Sequence, residues 1–134
     1  MEKDSQIFKE NKKSFKRFTL SFKYCYEGIR YAFYHEQNII VMLVMGIIAM
    51  ILGMILGISY TERLVVILLI GMILSLEMIN TAIEAVVNLV TTEKKPLAKV
   101  AKDCASGAVG IASIFAFILG ILIYLPKLIE FFRG

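Results

Sequence analysis

Two stretches of the chain, Ile39 to Thr61 and Cys104 to Pro126, run for 23 residues each without an Asp, Glu, Lys or Arg. Between them Leu64 to Thr92, 29 residues long, is apolar apart from Glu77, Glu84 and a few amides and hydroxyls. About 20 apolar residues in helical form cross the hydrocarbon core of a bilayer. The pattern therefore predicts three transmembrane helices, at 39–58, 64–91 and 102–125, with a tight turn after the first and a loop at 92–101 after the second. Ahead of them Phe15, Phe18, Phe22, Tyr26, Ile29 and Phe33 recur at steps of three and four, while Lys16, Arg17, Lys23, Glu27 and Arg30 take other faces. Such a pattern predicts an amphipathic helix over 15–36 lying in the membrane interface. Residues 1–14 are polar and predict a frayed arm. The expected fold is an all-α membrane protein: one interfacial helix and three transmembrane helices in a single domain, 1–134.

Composition agrees, since 58% hydrophobic and 19% charged residues are too apolar a mixture for an ordinary soluble domain. The first span begins after a long charged stretch and reads as a permanent anchor rather than a cleaved signal. The net charge of +4 matters less than its placement: residues 1–38 hold eight Lys and Arg, and 93–103 hold Lys94, Lys95, Lys99 and Lys102. The positive-inside rule then sets the N-terminus and the second connection on the cytoplasmic side and the C-terminus outside. Cys25 and Cys104 form no ligand or disulfide pattern and are expected as free, packed thiols. Small residues crowd the start of the third span, from Ala101 through Ala105 and Gly107 to Ser113, and predict that this helix packs closely. Gly53 and Gly57 form a Gly-x-x-x-Gly step in the first span, for which mere tolerance of small residues is an equal reading.

The informative segment is Glu77-Met-Ile-Asn80-Thr81-Ala-Ile-Glu84-Ala-Val-Val-Asn88. At about 100° per residue, Glu77, Asn80, Thr81, Glu84 and Asn88 share one helix face. An ionisable side chain at the centre of a membrane helix costs roughly 2.5–3.5 kcal/mol on insertion scales, so two carboxylates must face protein, metal or water. The plainer alternative is that Asn80, Thr81 and Asn88 bond across helices and the carboxylates reach water. A second polar cluster, Lys99, Lys102 and Asp103, opens the third span, and Glu36 precedes the first. Carboxylates and cations thus converge on one membrane surface. The set suits phosphoryl transfer, with carboxylates for a divalent metal, Lys for developing charge and a further carboxylate to accept a hydroxyl proton. The Gly-rich and catalytic-loop signatures of common nucleotide enzymes are absent. His35 has no second ligand at metal spacing and is expected to make a hydrogen bond at headgroup level.

Glu77-x-x-Asn80-Thr81-Ala82-Ile83-Glu84-Ala85-Val86-Val87, with Gly28-Ile-Arg30, Glu36 and Lys102-Asp103-Cys-Ala-Ser106, resembles the prokaryotic membrane diacylglycerol kinase family, which includes the undecaprenol kinases of Gram-positive bacteria. The likeness runs from about Arg17 to Tyr124. It implies a homotrimer with composite active sites at the cytoplasmic face. It also implies that Glu77 is general base toward a lipid hydroxyl, that Glu36 and Glu84 hold the Mg2+ accompanying ATP, and that Asn80 and Ser106 line the site near the lipid headgroup. Arg17, Tyr24, Lys102 and Asp103, with the loop of Glu93, Lys94 and Lys95, would surround the nucleotide. The chain departs from the family pattern at Asn88, where the signature ends in Asp; the amide keeps size and hydrogen bonding but loses the charge.

The expected activity is ATP- and Mg2+-dependent phosphorylation of a membrane lipid alcohol, with no nucleic-acid partner. Undecaprenol is favoured for the aromatic, Lys-rich N-terminus and the Pro-terminated last span, and diacylglycerol is the alternative. A non-catalytic helix bundle or small transport subunit is the reading from a different class.

Overall fold

The computed structural model describes the backbone of residues 2–133 and the side chains of residues 15–133. Four helices follow one another: α1 (Glu2–His35), α2 (Gln37–Leu56), α3 (Tyr60–Val90) and α4 (Pro96–Arg133). The last three are long and apolar enough to cross a membrane.

α1 forms one compact unit and residues 36–134 another. The polar arm expected at 1–14 is, in its backbone, the first part of α1 from Glu2 onward, in keeping with the good helix propensity of its Glu, Lys and Gln residues. The arm's side chains lie outside the described residues. Along the rest of α1 the aromatic positions are exposed, Phe15 at 70% and Phe22 at 65%, and Phe18 meets Phe22 edge to face at 5.1 Å. Such a face has the chemistry of a surface that acyl chains cover. His35 stacks on Tyr31 and its Nδ1 lies 2.9 Å from the Tyr31 carbonyl oxygen, so its hydrogen bond is made within the helix.

α2, at 20 residues, is about 30 Å long, the thickness of a bilayer's hydrocarbon core. It ends where Gly57 takes the left-handed conformation, φ 66°. Gly57 N–H donates to the Met54 carbonyl and Ile58 N–H to that of Gly53 at 3.0 Å, the paired bonds of a Schellman cap. Ser59 then caps α3 reciprocally with Glu62: Glu62 N–H donates to the Ser59 hydroxyl at 3.3 Å and Ser59 N–H to the Glu62 carboxylate at 2.6 Å. Three residues, 57–59, therefore reverse the chain. The second connection, 91–95, is shorter than the expected 92–101, because Pro96 opens α4 at the position where its missing N–H costs nothing. α4 also continues through Pro126 to Arg133, past the expected end at 125. A proline within a helix removes one backbone bond and kinks without necessarily ending it.

α3 lies between its neighbours, packing most extensively on α4 and next on α2, while α2 and α4 touch little. Near the 57–59 turn, Ile58, Val66 and Ile123 form a buried cluster flanked by Ala49, Ile70 and Tyr124. The Tyr124 hydroxyl donates to the Ala49 carbonyl at 2.8 Å, tying α4 to α2. Gly53 makes this approach possible, since a Cβ there would lie 2.6 Å from the Ile58 side chain and 3.1 Å from the Tyr124 hydroxyl. The two glycines of the Gly-x-x-x-Gly step thus do different jobs, one in close packing and one in chain reversal. At the other end of the bundle Ala105, Val109 and Ala112 are the buried stripe of α4, which places small residues where packing is tight. Cys25 and Cys104 are free thiols, but both are exposed rather than packed; Cys104 neighbours the inward Ala105 and so points away. Gly53→Leu is expected to destabilise the bundle by about 1–3 kcal/mol through overpacking. Tyr124→Phe should cost about 1 kcal/mol or less. Both show as lowered thermal midpoints in detergent.

Candidate active site

α3 carries the polar stripe to the end of the bundle where α2 begins and α4 begins. Glu77 is 2% exposed, Asn80 7% and Thr81 6%, whereas Glu84 is half-buried and Asn88 exposed. The face is therefore protein-covered at its deep end and opens progressively toward the loop at 91–95. Thr81 turns its hydroxyl back to the Glu77 carbonyl at 3.0 Å, and the Asn80 Nδ2 donates to Glu84 Oε1 at 3.4 Å. Neither residue bonds across helices. Asn88 does, accepting at 2.8 Å from Lys102 Nζ on α4.

Two buried acceptors in this stripe, Glu77 Oε1 and Asn80 Oδ1, have no hydrogen-bond partner among the described residues. A buried polar atom left unpaired costs about 1–3 kcal/mol. Such a pair of orphans inside a membrane helix is the feature that a bound donor, such as a hydroxyl, would relieve. Their geometry is set by α3 alone, because positions 77, 80 and 84 stack on successive turns.

The cations near the loop differ in what holds them. Lys99 is engaged by Asp103 one turn away, and Lys95 lies 3.6 Å from Glu93 within the loop. Lys102, half-buried, is held by a neutral amide and so keeps its positive charge uncompensated by that contact. Lys94 is exposed on the loop and Ser106 on α4, one turn beyond Lys102. Arg17 and Tyr24 are exposed on α1. The cross-helix bond of Asn88 fits the plainer reading of the sequence, but Lys102 as its partner was missed, because no periodicity connects residues on different helices.

Glu36 is the single extended residue between α1 and α2, half-buried, and its side chain makes no capping bond to α2. Among the described residues neither Glu36 nor Glu84 is ion-paired, and no group of three or more His, Cys, Asp or Glu side chains converges as a metal cage. Carboxylates of this kind fit magnesium, which is usually held by one or two carboxylates together with waters and substrate phosphates.

Three helices long and apolar enough to cross a membrane, the central one carrying a buried carboxylate and amide on a face that opens toward Lys102, define the class: a helical membrane protein with a polar face inside its bundle. Residues 23–124 match the family model described as prokaryotic diacylglycerol kinase. The chain is 39% identical over 120 residues to an undecaprenol kinase of Bacillus subtilis, covering 90% of this chain and 98% of that protein. It is 36% identical over 112 residues to a diacylglycerol kinase of Synechocystis, covering 83% of this chain and 64% of that protein. To a diacylglycerol kinase of Helicobacter pylori strain J99 it is 35% identical over 109 residues, covering 81% and 85%. The chain belongs to the prokaryotic diacylglycerol kinase family and is a lipid kinase. Family membership decides against the non-catalytic bundle. Arg17 falls outside the matched residues.

Asn88→Asp is expected to convert the contact with Lys102 into an ion pair. Thermal unfolding in detergent should show a gain of less than about 1 kcal/mol that disappears at high salt.

Proposed function

We propose that the chain phosphorylates undecaprenol, using ATP and Mg2+, as a homotrimer in the bacterial cell membrane with its N-terminus and active site on the cytoplasmic side. The observation that carries the reading is Glu77, a carboxylate almost wholly buried in a membrane helix with one oxygen unpaired. Support for undecaprenol over diacylglycerol is the end-to-end likeness to the B. subtilis enzyme, which covers 98% of that protein.

In the mechanism the lipid hydroxyl donates its hydrogen bond to Glu77, which takes the proton as the oxygen attacks the γ-phosphorus of ATP. The bond from that phosphorus to the bridging oxygen breaks, ADP leaves, and the lipid phosphate forms. Asn80, oriented by the bond its Nδ2 donates to Glu84, lines the site near the headgroup. Burial excludes water from Glu77, which favours transfer to the lipid over hydrolysis. Lys102, held in place by Asn88 but not neutralised by it, offsets charge on the phosphates. Lys94 and Lys95 on the loop, with Glu93, Asp103, Arg17 and Tyr24, surround the nucleotide, and Ser106 lies toward the headgroup. Glu36 and Glu84 would hold magnesium, which would supply charge neutralisation for the nucleotide's phosphates. Neighbouring subunits of the trimer complete each site.

Transfer of labelled γ-phosphate to undecaprenol and to diacylglycerol, each in its own mixed micelle, tests the reading. Phosphate on undecaprenol is expected, and phosphate on diacylglycerol alone would reassign the substrate. Glu77→Gln should lower turnover by about 10²–10⁴-fold, and unaffected turnover would remove Glu77 from its role. Glu36→Gln and Glu84→Gln should each raise the Mg2+ concentration needed for half-maximal rate, read from a metal titration at saturating ATP.

A further inference from the structure

The buried residues of α2 are Ile39, Gly46 and Gly53, which recur every two turns and so form one seam on one face. A Cβ on Gly46 would lie 3.0 Å from the Ile70 side chain, which sets this seam against α3. The reversal at 57–59 makes the two helices antiparallel. Ile39 lies two turns before Gly46 and Glu77 two turns after Ile70, so Ile39 stands level with Glu77 on the facing side. From the other side, Ile123 of α4 joins Val66 of α3 in the buried cluster. Ala112 precedes Ile123 by the same interval by which Glu77 follows Val66, and Ala112 is buried as well. One layer of the bundle therefore consists of Ile39, Glu77 and Ala112. Ile39, 1% exposed, and Glu77, 2% exposed, are the largest side chains covered so fully among the described residues.

Close packing of helices does not account for the residue at 39. The other two positions of the seam are glycines, whereas at the level of the carboxylate the seam carries a branched hydrocarbon. That side chain has no hydrogen to donate, and Glu77 Oε1 keeps no partner among the described residues. Gln37 and Asn38 are exposed and Glu36 is half-buried, so Ile39 is the first covered residue of α2 counted from the loop end of the bundle. We propose that Ile39 is a positioning residue that keeps water from Glu77, so that Glu77 takes its proton from the lipid alcohol rather than from water. The inference rests on the reading of Glu77 as general base and names the residue that decides between its two possible acceptors of phosphate. An isoleucine side chain can lie against the first carbons of an alcohol, and it offers water no hydrogen bond; a space lined by such groups stays dry. Water admitted beside Glu77 would give it a proton and attack the γ-phosphorus of ATP. The bond from that phosphorus to the bridging oxygen would break, releasing ADP and inorganic phosphate in place of ADP and lipid phosphate.

The full-length protein in mixed micelles would be given Mg·ATP and undecaprenol, with lipid phosphate and inorganic phosphate read from the same sample. Their ratio does not depend on how much of a variant folds. Ile39→Ala leaves room for a water, whose share of the liquid is about 30 Å³. It should raise inorganic phosphate relative to lipid phosphate by about fivefold or more, while Ile39→Val, which keeps a branched hydrocarbon in place, should change the ratio less than about twofold. An unchanged ratio in Ile39→Ala would overturn the proposal. Adding Glu77→Gln to Ile39→Ala should abolish the extra inorganic phosphate, and its survival would also overturn the proposal. Glu77→Gln alone separates this inference from the reading beneath it. Full transfer in that variant would remove Glu77 as base, whereas an inactive Glu77→Gln beside an unchanged ratio in Ile39→Ala would overturn the role of Ile39 and leave the base standing. Thiol labelling without nucleotide gives a readout independent of turnover. Ile39→Cys should resist a water-soluble maleimide that labels Asn38→Cys, with peptides resolved by mass because Cys25 and Cys104 are exposed too. Equal labelling at the two positions would show water already at Ile39 and overturn the proposal.

Discussion

A carboxyl group within a membrane-crossing helix has lost its hydration, and the surrounding protein must be arranged to make that loss tolerable. Glu77 is the residue that imposes this condition here, and much of the bundle's shape follows from it. α3 takes the central place, so that its polar face is covered from both sides. The helix that covers it most closely, α4, buries Ala105, Val109 and Ala112, residues small enough for backbones to approach without large side chains intervening. On α2, Gly46 permits the same approach: a Cβ there would lie 3.0 Å from Ile70. The covering is nevertheless incomplete in hydrogen-bonding terms, because Glu77 and Asn80 each retain an unpaired acceptor.

The open end of the same face obeys different physics. Solvent and headgroups screen its charges, so its contacts are short-range and individually weak: Lys99 with Asp103, Lys95 with Glu93, Lys102 with Asn88. Asn88 matters here because an amide can orient a lysine without cancelling its charge. Where the resemblance implies an Asp, the structure thus has a hydrogen bond in place of an ion pair.

Much of the architecture is legible in the residue pattern, and the misreadings are instructive. The three spans are found because each is decided by its own apolar content. Pro126 was expected to end the last span, yet α4 passes through it, since a long helix can forgo one backbone bond. Pro96 does act as punctuation, but as the first residue of α4, which shortens the loop to 91–95. The face shared by Glu77, Asn80, Thr81, Glu84 and Asn88 follows from spacing alone. Nothing in the sequence says that α2 and α4 leave a groove lined by Val66, Leu69, Ile70 and Ile73 of α3.

What the sequence by itself determined is the number of spans, the polar face of α3 and the gathering of charge at one end of the bundle, because insertion into lipid and helical periodicity depend on residues near one another in the chain. What only the tertiary structure decided is which of those polar groups are covered and what they touch. Lys102 reaches Asn88 from fourteen residues away and Tyr124 reaches Ala49 from seventy-five. Such contacts depend on how closely helices approach, and that is set jointly by side-chain shapes on separate helices rather than by any local pattern.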